Sequence, residues 1–262
     1  MKIDRRGFSL AAAGLLLTPA AAVAAQDKAL EAAIASPTRS KANVVRDPFR
    51  HPYASLTFWG LRPGQTIVEI DPGETGYWRE ILEPYAAATH GRYVAAAAPG
   101  VDFAGTSAVE PLGLHSPPLG PADSADLVLT ARNIHNMLWT PGLLPKVLDD
   151  IHAVLKPGGV LAIEEHRADP RPQVATPRAA ADGYVSVATV VAAAKTAGFR
   201  LDGQSEINAN PKDTKDYPFG VWTLPPTRQN SRQGQPTPAG FDRAKIDAIG
   251  ESDRMTLRFR KA

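Results

Sequence analysis

Short apolar runs alternate with amphipathic stretches through most of the chain. The apolar runs lie at 66–71, 91–98, 125–133, 160–166 and 199–207, and helical periodicity fills 77–89, 143–155 and 186–197 between them. Strands that are apolar at nearly every position and are separated by helices pair in parallel, with both faces of the sheet covered. The pattern therefore predicts an α/β domain over residues 61–262 with a doubly wound, mostly parallel sheet.

The segments at either end depart from this alternation. Residues 26–60 contain proline breaks and predict one or two short helices, which form a flank before the α/β domain. Residues 208–250 are rich in Pro, Asn and Gln with little periodicity, which indicates an insertion that is either a functional loop or partly mobile. Near the C-terminus Met255, Leu257 and Phe259 alternate with polar residues, which predicts an edge or near-edge strand.

Residues 1–25 have the order of a secretory signal: basic residues, then an apolar run, then small residues. The adjacent Arg5 and Arg6 resemble the twin-arginine export signal, which a receptor reads as an address. We therefore expect the twin-arginine export machinery as a partner and a periplasmic or secreted location, with no stable membrane span after the signal is removed. An uncleaved membrane anchor is the alternative, although Pro19 and the alanine-rich run make that span short and weakly apolar.

Charge and cysteine content exclude several classes of function. The formal net charge of +2 falls to about zero when Lys2, Arg5, Arg6 and Asp4 leave with the signal, so no basic face for nucleic acid is predicted. The chain has no cysteine, which excludes disulfides, thiolate metal ligands and cysteine-based catalysis.

Polar residues and glycines follow the first predicted strand, where ligands bind in open α/β sheets. They are Glu69, Asp71, Gly73 and Gly76, just before a predicted helix. Glycine lets the backbone turn tightly and approach a ligand, and a helix N-terminus offers free N–H groups to an anion. A strand-to-helix turn without any ligand remains the alternative for these residues alone.

A second polar group follows the strands at 125–133 and 160–166. It contains Arg132, Asn133 and His135 after the first of these strands and His166 after the second. Histidines near neutral pH can act as general bases, so His135 and His166 are the candidate catalytic residues. No metal site is predicted, because no third ligand stands at a helical or hairpin spacing from these histidines.

The motifs in this order resemble the class I methyltransferases that use S-adenosylmethionine. "TIVEIDPGETGYW" is similar to the family's first strand and glycine turn, "ADLVLTARNIHNM" to its fourth strand, and "LKPGGVLAIEEHR" to its turn into the fifth strand. The terminal "RMTLRFRKA" resembles its antiparallel last strand. The resemblance implies a seven-stranded Rossmann-like sheet, S-adenosylmethionine as cofactor and an unidentified small or envelope-associated methyl acceptor.

The resemblance also assigns roles to residues. Glu69 matches the family's acid at the end of the first strand, Gly73 and Gly76 match its turn glycines, and Asn133 falls where the chain passes the adenosyl group. The expected cofactor-binding set is Glu69, Asp71, Gly73, Gly76, Arg132 and Asn133. His135 or His166 would then remove a proton from the acceptor or orient it.

Two departures from the family pattern support a rival hypothesis. Ala97 and Ala98 stand where the family has an acid for the ribose hydroxyls, with Asp102 as a distant substitute, and Glu74 adds bulk and charge to the glycine turn. The rival is a non-catalytic periplasmic binding or scaffold protein on the same fold. A nicotinamide-dependent oxidoreductase would need a Gly-x-Gly-x-x-Gly turn, which the chain lacks at this strand.

Overall fold

A computed structural model describes residues 27–99, 101, 103, 109–170 and 180–262. The predicted signal and Asp102 lie outside the described residues. Among the described residues, no helix combines the length and the apolar character that crossing a membrane requires.

The described strands form one mixed sheet. They are β1 (Thr66–Ile70), β2 (Arg92–Ala97), β3 (Val109–Pro111), β4 (Ala125–Ala131), β5 (Leu155–His166), β6 (Phe199–Ser205) and β7 (Arg254–Lys261). Their order across the sheet is β3-β2-β1-β4-β5-β7-β6. The pairings from β3 to β5 are parallel, whereas β7 runs antiparallel to both β5 and β6. The start of β7 therefore lies at the same edge of the sheet as the carboxyl ends of the parallel strands.

Nine α-helices occur in the described part of the chain. They are α1 (Lys28–Ile34), α2 (Lys41–Val44), α3 (Asp47–Arg50), α4 (Pro52–Phe58), α5 (Arg79–Ala88), α6 (Ile134–Met137), α7 (Leu143–Val154), α8 (Val187–Thr196) and α9 (Arg243–Asp247). The flank thus contains four short helices instead of one or two, and α1 packs against α5.

Each face of the sheet carries its own apolar cluster. On β1, Val68 and Ile70 join the cluster that includes α7 and α8, whereas Ile67 joins the cluster that includes α5. This alternation follows from the two-residue period of a strand that is covered on both faces. The doubly wound architecture predicted from the apolar runs is confirmed.

The last strand also has the predicted pattern. Met255, Leu257 and Phe259 are at most 1% exposed, and β7 lies one position from the sheet edge, which β6 forms. Burying three apolar side chains on one face stabilises the return of the chain to the sheet by roughly 1.5–3 kcal/mol for each side chain.

Three details were not predicted. The strand β3 has only three residues, all half-buried, so it carries no apolar run that the sequence pattern can detect. The strand β5 begins at Leu155 and includes the Lys-Pro-Gly-Gly turn, with a register shift against β4. Within 208–250 the structure contains a 3₁₀ helix at Gly220–Thr223 and the helix α9.

Candidate functional site

The turn between β1 and α5 leaves its backbone open to close approach. Asp71 and Gly73 both have left-handed backbone conformations, with φ of +45° and +67°. A Cβ built on Gly73 would meet nothing within 4 Å, whereas one on Gly76 would lie 2.7 Å from Nε of Arg79. The side chains of Asp71 and Glu74 are exposed, so Glu74 does not fill the space beside Gly73.

Asn133 joins the end of β4 to the end of β1. Its Nδ2 donates to the carbonyl oxygens of Ile70 at 2.7 Å and Asp71 at 3.3 Å. The β1–α5 turn and the segment that carries His135 are therefore tied together at one edge of the sheet. The predicted cofactor contact of Asn133 is not tested by this geometry, which assigns its amide nitrogen to holding the turn.

Glu69 is buried within the sheet rather than exposed at its edge. Its Oε2 accepts a hydrogen bond of 2.7 Å from the Tyr93 hydroxyl on β2. Burial raises the pKa of Glu69 to about 7, although the Tyr93 bond and the positive charges of Arg79 and Arg132 act in the opposite direction. Its predicted cofactor contact stays a prediction.

The two candidate catalytic histidines, which lie at the ends of β4 and β5, are close together. The ring centroids of His135 and His166 are 5.4 Å apart. His135 Nδ1 lies 3.0 Å from Oε1 of Glu165, and the His135 backbone N–H donates to Oε2 of the same carboxylate at 3.1 Å. Because a carboxylate on Nδ1 fixes the ring and favours a proton there, it leaves Nε2 free to accept a proton.

His166 occupies a more positive environment. Its Nδ1 lies 2.5 Å from Oγ of Ser252. Burial lowers its pKa well below the ordinary value, and the neighbouring His135, Arg132 and Arg254 lower it further. His166 is therefore a neutral hydrogen-bonding group at pH 7, and His135 is the better placed general base.

Aromatic rings surround the two histidines. The His135 ring centroid lies 5.7 Å from that of Trp139 and 5.9 Å from that of Trp222, and the two indole rings are 5.7 Å apart. Tyr184 contacts His166 with ring centroids 6.3 Å apart. Trp222 comes from the insertion, so that segment contributes an apolar wall to this site.

A metal ion is an alternative occupant of this site. The donor atoms of His135, Glu165 and His166 lie within 4.8 Å of one another, close enough to ligate one ion. Both oxygens of Glu165 already accept hydrogen bonds, including one of 2.8 Å from the His166 backbone N–H. The guanidinium charges of Arg132 and Arg254 near His166 further oppose a cation. The geometry is thus better explained by a hydrogen-bonded His–Glu pair than by a metal centre.

An ionic cluster joins the N-terminal flank to the start of β7. Glu251 accepts from Nε of Arg46 at 2.7 Å and from Nε of Arg50 at 2.8 Å, and it also pairs with Arg254. These guanidinium groups keep the pKa of Glu251 far below its ordinary value despite burial, which alone would raise it. The helices α2 and α3 are thereby held over the carboxyl ends of the parallel strands.

Glu164 extends this cluster toward β5. Its Oε1 lies 2.5 Å from Nε of Arg254, and its Oε2 accepts from Nε1 of Trp78 at 3.2 Å. The predicted residue Arg132 has a left-handed backbone with φ of +62°, and its N–H donates to the Glu164 carbonyl at 2.7 Å. Burial lowers the pKa of Arg132, and the charges of Glu164 and Glu251 raise it, so the Arg132 side chain lies beside the carboxylates of the ionic cluster.

Sequence reasoning missed the contributions of the flank and of the chain before β7. Arg46 and Arg50 pair with Glu251 across more than 200 residues. One indication was available: the residues before an antiparallel last strand must lie at the edge where the parallel strands end. Arg254 could have been placed there by that argument.

The end of β2 offers no polar side chain for a ribose. Ala97 is buried and Ala98 is exposed, and neither can accept a hydrogen bond through its side chain. Carboxylates occur on both sides of β2: the Asp71 backbone N–H donates to the Ala96 carbonyl at 2.7 Å, and Glu110 on β3 is the register partner of Ala96.

Comparisons with known proteins bear on the fold. No protein-family model matches the chain, and no curated protein matches it. Among solved structures, the [4+2]-cyclase SpnF superposes with a TM-score of 0.52 at 16% identity, over 79% of this chain and 79% of that one. A SAM-dependent methyltransferase from Aquifex aeolicus gives a TM-score of 0.49 at 17% identity, over 83% and 93% of the two chains. One from Mesorhizobium loti gives 0.45 at 16%, over 79% and 95%.

The sheet order and the superposition on SpnF agree with the expectation from the sequence motifs. The sheet has seven strands, with the last strand in the chain antiparallel to its neighbours. The chain therefore has the Rossmann-like α/β fold of the methyltransferases.

Proposed function

We propose that this protein is a methyltransferase that uses S-adenosylmethionine and transfers its methyl group to a small or envelope-associated acceptor. The fold alone does not decide this activity, because SpnF shares the fold and is named as a cyclase. The argument rests on the site at the carboxyl ends of β1, β4 and β5.

The β1–α5 turn fits the methionine end of such a cofactor. Gly73 has open space over its Cα, so a ligand can approach the backbone closely. The exposed carboxylate of Asp71 would face the positively charged part of the cofactor. The cofactor supplies a methyl group on a sulfonium, which an acceptor displaces in line when the two are held in position.

His135 would take the proton that the acceptor loses. Glu165 fixes the ring through Nδ1, so Nε2 is the atom that accepts this proton. The imidazolium that results would be stabilised by the buried Glu165 carboxylate. Trp139 and Trp222 would exclude water and pack against an apolar part of the acceptor.

One observation carries the proposal. Asn133, two residues before His135 in the chain, donates a hydrogen bond to the end of β1, so the glycine turn and the His135–Glu165 pair lie at one edge of the sheet. A non-catalytic scaffold has no need for a buried carboxylate that orients a histidine. Burying that charge is costly unless it is paired, and a pair that lies at the edge where ligands bind in this fold supports a chemical role.

The test is calorimetry of the purified protein with S-adenosylhomocysteine. The variant Gly73→Ala should weaken binding about tenfold or more, since an added methyl group that overpacks a contact costs ~1–3 kcal/mol. Gly158→Ala is the matched control. Gly158 has φ of +71° and also has nothing within 4 Å of a built Cβ, so alanine should cause the same backbone strain there as at Gly73. Gly158 lies in the turn at the start of β5, away from the proposed cofactor site.

Two outcomes would contradict the proposal. The first is the absence of any heat from the wild-type protein at millimolar ligand. The second is an equal loss of affinity in the two glycine variants, which would attribute the effect to strain and not to the site.

We also propose that residues 1–25 direct the protein to the periplasm or the exterior. The paired Arg5 and Arg6 before an apolar run support this location. Replacing both arginines with lysine should leave the full-length protein in the cytoplasmic fraction, whereas the unchanged chain should appear shortened in the periplasmic fraction. Equal fractionation of the two chains would overturn the assignment.

A further inference from the structure

Two arginines of the ionic cluster have nitrogen atoms that no described residue uses. Nη1 and Nη2 of Arg50 are buried without a hydrogen-bond partner in the part of the chain that the structure describes, and so is Nε of Arg132. Arg50 is 0% exposed. A buried donor without a partner costs on the order of 1–3 kcal/mol, and more when it is charged, so these positions require an explanation.

The cluster is also unbalanced in charge. Glu251 accepts hydrogen bonds from Arg46 and Arg254, and Glu164 forms an ion pair with Nε of Arg254 without a hydrogen bond between those two atoms. Arg50 uses only its Nε toward Glu251, and Nε of the half-buried Arg132 has no partner among the described residues. Positive charge in excess of its partners is unfavourable in a buried site unless an anion joins it.

The Arg50 guanidinium is held in position before any ligand arrives. The Arg50 guanidinium lies 4.4 Å from the Tyr77 ring centroid and is anchored through Nε to Glu251 at 2.8 Å. The main chain of Arg132 is fixed by its left-handed conformation and by its N–H bond to the Glu164 carbonyl, which sets the point from which its side chain extends. Burial is the main cause that lowers the pKa of Arg50, and the charge of Arg132 lowers it further, so the two guanidinium groups act on each other. A rigid guanidinium fork matches the two oxygens of a carboxylate or phosphate.

The position of these arginines relates them to the catalytic pair. Arg132 lies three residues before His135, and its charge acts on His166. Arg132 thus follows β4 on the side of the histidines, whereas the Arg50 guanidinium packs on Tyr77, directly after the glycine turn. The pair therefore adjoins both the turn that would receive the cofactor and the strands that carry His135 and His166.

We propose that Arg50 and Arg132 bind an oxyanion, a carboxylate or phosphate, carried by the methyl acceptor. This inference rests on the proposed function, since it names the chemical class of the acceptor. The acceptor then combines an anionic group held by the two arginines with an apolar part that packs against Trp139 and Trp222. The carboxylate of the cofactor itself is the other source of such an oxyanion, and the experiment separates the two.

The first measurement is thermal unfolding of the purified chain in sodium sulfate and in sodium chloride at equal ionic strength. Sulfate at ten times its Kd should raise the Tm by about 3–6 °C over chloride. The variant Arg132→Gln should lose this rise. In chloride this variant should also be more stable than wild type, because it removes the repulsion between Arg132 and Arg50. If Arg132 had a purely structural role, replacing it would instead destabilise the protein.

Two further variants complete the set. Arg50→Lys keeps the charge and loses the fork, and it should reduce the sulfate effect. Arg258→Gln is the control, because Arg258 pairs with Asp202 at 2.8 Å outside the cluster, and it should keep the full effect. A sulfate effect that is absent in wild type, or equal in Arg132→Gln and wild type, overturns the proposal.

The second measurement identifies the source of the oxyanion. If the acceptor carries it, sulfate leaves the affinity for S-adenosylhomocysteine unchanged. If sulfate competes with S-adenosylhomocysteine but not with 5′-methylthioadenosine, which lacks the amino-acid part, the arginines hold the cofactor and the acceptor assignment is wrong. If S-adenosylhomocysteine does not bind at all, the proposed function is wrong. The sulfate response tests the oxyanion site independently of that result.

Discussion

His135 and Glu165 form a buried pair in which Nδ1 of the imidazole lies 3.0 Å from Oε1 of the carboxylate. His135 is 4% exposed and Glu165 is 0% exposed. The carboxylate also accepts from two backbone N–H groups, so it is fixed in place and the ring orientation follows from it. This relationship makes the role of His135 testable apart from its contribution to the fold.

The substitution His135→Asn should lower turnover about 10²–10⁴-fold, the usual contribution of a general base. The Asn amide nitrogen takes the position of Nδ1, so the bond to Glu165 and the fold are retained. The measurement is formation of S-adenosylhomocysteine from S-adenosylmethionine in the presence of a cell-envelope extract. His90→Asn is the control, since His90 is exposed with φ of +60°, which Asn tolerates. Equal turnover in both variants would exclude His135 as the base.

The substitution Asp71→Asn should weaken binding of S-adenosylmethionine more than binding of S-adenosylhomocysteine. Only the first ligand carries the sulfonium charge that the Asp71 carboxylate is proposed to face. Glu74→Gln, at a second exposed carboxylate of the same turn, should leave the ratio of the two affinities unchanged. Titration calorimetry with both ligands measures this ratio, and a ratio in Asp71→Asn like that of wild type would contradict the assignment.

Glu69 predicts a pH dependence of stability with a definite sign. Its folded pKa of about 7 lies above the ordinary value of 4.5, so the folded state binds more protons between these values. The contribution of Glu69 to stability is complete below 4.5 and is lost as pH rises through about 7. Glu69→Gln keeps an acceptor for Tyr93 and cannot ionise, so its stability relative to wild type should increase with pH.

The free energy of unfolding in urea at pH 5 and pH 8 measures this difference, which should change by up to about 3 kcal/mol. Glu74→Gln, at an exposed carboxylate, should show no such change. A difference between Glu69→Gln and wild type that is constant with pH would mean that Glu69 titrates like an exposed group.

Glu251 holds the flank to the end of the insertion, so Glu251→Gln should destabilise the protein by about 3–5 kcal/mol. The loss is large because it leaves Arg46, Arg50 and Arg254 buried without their shared partner. Urea unfolding gives the magnitude, and limited proteolysis should show faster cleavage between residues 27 and 60. Glu206→Gln removes the exposed partner of Arg167 and should cost less than about 1 kcal/mol. Similar losses in the two variants would refute a special role for Glu251.

Much of the fold follows from local pattern. The apolar runs of β1, β4 and β5 predicted a parallel sheet because a strand covered on both faces needs apolar residues at consecutive positions. The alternation of Met255, Leu257 and Phe259 likewise placed β7. The three half-buried residues of β3 contain no such pattern, and only pairing with β2 makes them a strand.

The site divides in the same way. The sequence by itself determined that His135 and His166 each follow a parallel strand, and the carboxyl ends of parallel strands meet at one edge of the sheet. Only the tertiary structure decided that Glu165 fixes His135 and that Arg50 and Arg132 are left with unpaired donors. Those relations join segments up to about 200 residues apart. The sequence does not distinguish an arginine that becomes buried from one that stays in solvent. Burial and partner geometry, which give each charge its energy and its chemistry, exist only after the chain has packed.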